Sequence, residues 1–176
     1  LPLDAKLPPL VVRQLMGDAD ARLILSDAKN TPRLADLGVP ALRLDALPPA
    51  TTAVPPVARH GGDPAYVMFT SGTTGRAKGV VISHRGIARL ALNHDLLGMQ
   101  PGEVMAQLAP LAFDATTVEL WSALLNGATL HIIPDQDALD PATLGTALRQ
   151  GGVTTMWLTT GLFNRATDEA PAIFAG

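Results

Sequence analysis

The chain has 176 residues, a formal net charge of −3, no cysteine, and 47% hydrophobic against 16% charged residues. That length allows one domain with a real core but not two large ones, and the apolar fraction excludes a disordered tail. Without cysteine there is no disulfide framework, no thiolate zinc site and no internal thiol nucleophile, which fits a cytoplasmic protein. The charge is uneven: residues 1–90 hold 11 Lys/Arg and 7 Asp/Glu (+4), and residues 91–176 hold 2 and 9 (−7). The basic residues are scattered, so they form no nucleic-acid patch. No apolar run is long enough to span a bilayer. The start, Leu1-Pro2-Leu3-Asp4, lacks an initiator Met and the end is apolar, which suggests a segment of a longer protein.

In chain order, residues 9–17 predict a short helix and residues 22–26 a strand. Thr31 reads as an N-cap with Pro32 at the first helical position, for a helix stopped by Gly38. Residues 41–45 read as a second strand. Residues 47–64 are a Pro/Gly-rich connection and are read as a loop inside the domain, because 46 residues would make a poor independent core. Residues 65–70 predict a buried strand and 80–83 another. Residues 85–97 have helical periodicity, with Gly98 as the stop. A strand at 104–108, a helix at 115–125 and a strand at 129–133 follow. A helix at 141–149 is capped by Asp140 and stopped by Gly151. A strand at 153–159 and a short helix at 162–167 complete the pattern. The alternation predicts an α/β fold with a largely parallel sheet flanked by helices.

The informative stretch is 65–80, AYVMFTSGTTGRAKGV. Glycines let the backbone approach a ligand, while hydroxyls and amide N–H groups surround phosphate oxygens. Lys78 adds a mobile positive charge. Composition leaves two readings open here, a phosphate cradle and a flexible polar turn. A Walker loop is excluded, since Lys78 stands between Ala77 and Gly79. No dinucleotide-binding G-x-G-x-x-G is present either.

This stretch closely resembles the signature loop of the adenylate-forming enzymes, with Ala77 where that family usually has proline. The resemblance implies that Thr70, Ser71, Gly72, Thr73, Thr74, Gly75 and Lys78 bind the β- and γ-phosphates of ATP. Residues 108–134, LAPLAFDATTVELWSALLNGATLHIIP, resemble the amino-acid-binding segment of nonribosomal peptide synthetase adenylation domains. On that resemblance Phe113-Asp114 is the family's Phe-Asp pair, and Asp114 meets the substrate α-ammonium. A buried carboxylate needs such a cation. The residues alone favour a second role for Asp114, capping the helix that follows, and leave the substrate role open beside it.

Asp114 and Val118 are four residues apart, and Ala115 and Val118 three, so all three can face one pocket. Ala115, Val118 and Trp157 match the family's pocket-lining positions, although the residues by themselves also suit plain core packing. Strand parity would put Thr155, Trp157 and Thr159 on one face. Small, aliphatic and bulky together point to an aliphatic, valine-like amino acid. Trp121, Leu124 and Leu125 read as core. The four histidines, His60, His84, His94 and His131, have no ligand spacing on one element, so no metal site is expected.

The resemblance implies part of the large N-terminal core of such an enzyme. It covers nearly all of residues 1–176 but only a middle part of the family's domain. The adenine motif, the ribose aspartate and the lid with its catalytic lysine are not in this sequence. The implied reaction is attack of an amino-acid carboxylate on the α-phosphate of ATP, with Mg²⁺ and the Ser/Thr loop neutralising the departing pyrophosphate. Transfer to the phosphopantetheine thiol of a peptidyl carrier protein follows. Residues 1–176 alone are expected to be inactive. Two other readings remain: an acyl- or aryl-acid ligase of the same superfamily, and a non-catalytic scaffold piece.

Overall fold

The computed structural model describes residues 1–49, 53–70, 77–92 and 97–174. They group into two compact units, Leu1–His84 and Arg85–Gly176.

In the first unit, helix α1 (Pro9–Asp18) opens on a proline, whose missing N–H would have had no helical partner anyway. Its apolar positions Val12 and Met16 pack with Ile24 and Leu37 into one cluster. Strand β1 (Ile24–Ser26) pairs in parallel with β2 (Ala41–Arg43). Between them Thr31–Leu37 winds as a 3₁₀ helix, ended by Gly38 in the left-handed region at φ 72°. The expected Thr31 cap is replaced. Asn30 holds that position without a side-chain cap, and the Thr31 hydroxyl donates to the Asp27 carbonyl at 2.6 Å. Residues 47–49 and 53–60 form neither helix nor strand.

Strands β3 (Pro64–Thr70) and β4 (Lys78–Ser83) form an antiparallel hairpin, the exception to the largely parallel pairing expected. The expectation of a buried strand fails, because Met68 is the only buried residue of β3. A hairpin with no second strand neighbour among the described residues leaves much of its apolar surface uncovered.

The second unit begins within α2 (His84–Ala91), which is shorter than the expected 85–97. Residues 93–96, including His94, lie outside the described residues. Strands β5 (Val104–Gln107) and β6 (Thr129–Ile132) pair in parallel. Alternation along β5 sends Met105 to one face and Ala106 to the other. Met105 packs with Met99 and Ala123 of α3 (Ala115–Leu125), and Ala106 packs with Leu144 and Leu148 of α5 (Pro141–Gln150). A helix on each face is the α/β layering that the strand–helix alternation predicts. The short helix α4 (Asp135–Ala138), not expected from sequence, adds Ala138 to the α5 cluster.

Asp140 caps α5 as expected, its carboxylate accepting from the Thr143 amide at 3.0 Å. Asn126 closes α3, and its side-chain amide donates to the carbonyls of Ser122 and Ala91 at 2.8 and 2.7 Å. Leu124 and Leu125, expected in the core, are exposed, and Trp121 is half-buried.

The expected strand at 153–159 is reduced to one parallel bridge, Met105 with Thr155. Two threonine side chains account for this. The Thr154 hydroxyl accepts the Val104 amide at 3.0 Å, in place of a backbone partner. Thr159 caps helix α6 (Thr160–Glu169), accepting the Leu162 amide at 3.4 Å. The parity argument for Trp157 therefore has no ladder beneath it. Among the described residues, no helix is long and apolar enough to cross a membrane.

Candidate functional site

The first group of candidate residues sits at the loop end of the β3–β4 hairpin. The ladder runs Met68–Val80, Phe69–Gly79 and Thr70–Lys78. Antiparallel pairing thus sets a hydroxyl directly across from an ammonium, with Cα atoms about 4.5–5.5 Å apart. Both residues are exposed. Ser71, Gly72, Thr73, Thr74 and Gly75 lie outside the described residues.

The described chain resumes at Ala77 and enters strand β4, rather than the helix that follows the loop of a strand–loop–helix phosphate site. Gly79 is closely packed: a Cβ there would stand 3.2 Å from the Phe69 ring and 3.3 Å from Val67, so those side chains would have to shift slightly. Missing side-chain bulk opposite an aromatic residue is a recurrent use of glycine in strands.

The second group lies where β5 leads through residues 108–114 into α3. Asp114 is the N-cap residue, but its helical φ and ψ of −62° and −30° give it no side-chain cap hydrogen bond. The carboxylate is exposed, not buried as expected. Of the two readings left open by sequence, the capping one is therefore removed. Phe113 beside it is 53% exposed, a large apolar ring facing solvent. Ala115 and Val118 are half-buried on the first turn of α3. Trp157, 42% exposed, follows the Thr155 bridge. Because that bridge is parallel, the Trp157 segment runs toward the same sheet end from which residues 108–114 depart. Ligands of open α/β sheets bind beyond this end.

One residue of this region was not singled out by sequence. Glu119, on α3, is fully buried. Its carboxylate accepts the Ala109 amide at 3.1 Å on each oxygen and the Leu108 amide at 3.3 Å. Burial pushes its carboxyl above the ordinary range, while those amides and the Gln107 side chain pull the other way. The available signal was its isolation: Glu119 is the only charged residue of α3. Among the described residues, no group of three or more His, Cys, Asp or Glu could hold a metal ion.

The sequence signature of the AMP-binding enzymes matches residues 1–175. The chain belongs to the AMP-binding enzyme family. The family's relatives include tyrocidine synthase 3 of Brevibacillus parabrevis, 34% identical over 99% of this chain and 3% of the synthase. Malpibaldin synthetase of Mortierella alpina is 39% identical over 94% of this chain and 3% of its own length. Among solved structures, PA1221, described as an NRPS protein containing adenylation and PCP domains, superposes with a TM-score of 0.86 at 37% identity. That match covers 100% of this AMP-binding chain and 35% of PA1221. The Klebsiella oxytoca NpsA N-terminal subdomain, in complex with 3-hydroxybenzoyl-AMSN, gives a TM-score of 0.81 at 29% identity over 98% of this chain and 43% of its own. The mixed α/β fold is thus that of the N-terminal part of these adenylation proteins, and the chain spans only a small share of its curated relatives' length.

Proposed function

We propose that residues 1–176 are part of an amino-acid-activating adenylation domain, with 47–64 a connection inside it. The observation that carries this reading is Asp114. At the head of α3, beside Phe113, an exposed carboxylate stands free of any capping bond in a chain of the AMP-binding family. A substrate ammonium is the natural partner for such a group.

In the proposed reaction, a carboxylate oxygen of the amino acid attacks the α-phosphorus of ATP. The bond from that phosphorus to the bridging oxygen breaks, and pyrophosphate departs with its electron pair. Lys78 and Thr70, with Ser71, Gly72, Thr73, Thr74 and Gly75, would bind the β- and γ-phosphates, where charge accumulates. Asp114 would hold the ammonium. Phe113, Ala115, Val118 and Trp157 would line the side-chain pocket, for an aliphatic substrate. Mg²⁺ enters only as a counter-ion of the triphosphate, and none of the described residues is assigned to it. The aminoacyl adenylate would then pass to the phosphopantetheine thiol of a peptidyl carrier protein. The PCP domain of PA1221 supports that partner.

A second reading is an aryl-acid ligase. It is favoured by the NpsA neighbours solved with 3-hydroxybenzoyl-AMSN and 3-hydroxyanthranilyl-AMSN. Amino-acid-dependent exchange of labelled pyrophosphate into ATP by the intact protein tests the first reading, and no exchange with any amino acid overturns it. Asp114→Ala separates the two. It should abolish exchange with an amino acid and spare exchange with an acid that lacks the amine. Residues 1–176 alone, spanning 35% of the solved PA1221 chain, are expected to form no adenylate.

A further inference from the structure

The end of β5 presents an unusual arrangement of backbone donors. Successive amides of an extended strand point to opposite sides. The Leu108 and Ala109 amides instead converge on one carboxylate, that of Glu119. The chain cannot remain extended there, so Glu119 both ends β5 and turns the backbone toward α3. The Gln107 side chain completes the clamp, donating to the Ala109 carbonyl.

The far end of the same segment is tied to α3 as well. The Phe113 amide donates to the Pro110 carbonyl at 2.8 Å, and the Thr116 and Thr117 amides donate to the Phe113 and Asp114 carbonyls at 3.1 and 2.9 Å. Residues 108–114 are therefore held at both ends by a single helix. Neutral side chains could satisfy two amides at a lower desolvation cost than a fully buried carboxylate. No Lys or Arg lies between Arg89 and Arg149 to pair with it in sequence, and among the described residues it has no ion-pair partner. The three amide contacts are what compensate its burial, so it is costly to move and well suited to fixing backbone.

We propose that Glu119 is a positioning residue for amino-acid binding, which holds residues 108–114 so that Phe113 and Asp114 are presented at the start of α3. The inference rests on the substrate role of Asp114 proposed above. Glu119 itself touches no substrate, because it is enclosed by the protein.

The test compares Glu119→Ala and Glu119→Gln with wild type in the intact protein. Pyrophosphate exchange is measured with amino acid varied at saturating ATP, and with ATP varied at saturating amino acid. In Glu119→Ala the amino-acid KM should rise about tenfold or more, since misplacement of a binding group by about 1 Å is worth up to about 10²-fold. The ATP KM should stay within about twofold, and Glu119→Gln, which keeps one acceptor oxygen, should recover most of the loss. Equal changes in both KM values, or no change in either, would overturn the proposal.

Amide hydrogen exchange provides a readout that does not need catalysis. Faster exchange at Leu108, Ala109 and Phe113 in Glu119→Ala, with Met105 and Ala123 still protected, supports the clamp. Unchanged protection at 108–113, or loss throughout α3 and β5, refutes it. If wild type activates no amino acid while the clamp is confirmed by exchange, the substrate reading of Asp114 fails and the positioning of the segment stands.

Discussion

The hairpin end at Thr70 and Lys78 and the segment before Asp114 carry charge of opposite sign in opposite ways. The first is the loop end of a ladder, with both residues exposed and set opposite each other by strand register. The second is tied down by a fully buried carboxylate and by turn hydrogen bonds into α3. Their surroundings differ in the same sense. Only Met68 is buried in β3, whereas Met105, Ala106, Ala123 and Leu144 of the second unit have no exposed surface. A long flexible cation can find a phosphate from an open position. A short carboxylate that must meet an ammonium depends on where its backbone stands.

This contrast can be broken most severely in the core beneath the second region. Leu144→Ala removes a fully enclosed side chain between α5 and β5 and should destabilise the chain by about 3 kcal/mol. Val81→Ala in β4, 61% exposed in wild type, should stay within about 0.5 kcal/mol. Urea denaturation of both variants checks the pair, and similar losses would erase the distinction between the regions.

Next in size is Lys78→Ala, which should lower pyrophosphate exchange by the intact protein about 10²-fold. Because Lys78 is exposed, its thermal midpoint should hardly move. Exchange within twofold of wild type would remove Lys78 from the phosphate site.

Gly151→Ala probes packing on the α5 side. A Cβ there would stand 2.4 Å from the His131 imidazole, so the ring must move, at a cost of about 1–3 kcal/mol. Truncating His131 to Ala in the same chain should relieve that cost, and a thermal-melt cycle of the single and double variants reads it.

Glu119 gives a pH dependence with a definite sign. Burial raises its carboxyl in the folded chain, so the native state binds this proton more tightly than the unfolded one. Its contribution is fully present below the unfolded value and is lost as pH rises through the folded one. Urea midpoints measured from about pH 4 to 7 should therefore fall more steeply with pH in wild type than in Glu119→Gln. Identical slopes would mean the amides fully offset the burial.

The smallest effect on stability is expected from Asp114→Ala. Without a cap bond to lose, the change in stability should be under about 0.5 kcal/mol, where removing a working cap costs about 1 kcal/mol. The loss would appear instead in amino-acid activation.

Much of this was legible in the sequence because its causes are local. Asp140 before Pro141 with Thr143 three positions on, and Gly38 after Leu37, specify a cap and a stop within a few residues. The alternating apolar runs indicated the α/β class in the same way. The strand expected at 153–159 forms only one bridge. Its apolar and hydroxyl pattern suits a strand, yet Thr154 and Thr159 spend their hydroxyls on a neighbouring amide and a helix cap. Side-chain competition of this kind is invisible to periodicity. Leu124 and Leu125 failed as core for a related reason: apolar character records what burial would gain, not which face finds a cover.

By itself the sequence determined the layered fold, the TSGTTG loop with Lys78, and the Phe113-Asp114 pair, since each depends on residue types in fixed order. Tertiary structure alone decided three further points. Thr70 faces Lys78 across an antiparallel rung, Asp114 does not cap its helix, and Glu119 reaches back to the amides of residues ten and eleven positions earlier. Register, backbone angles and long-range donor pairing settle these, and each requires the chain to have folded back on itself before the contact exists.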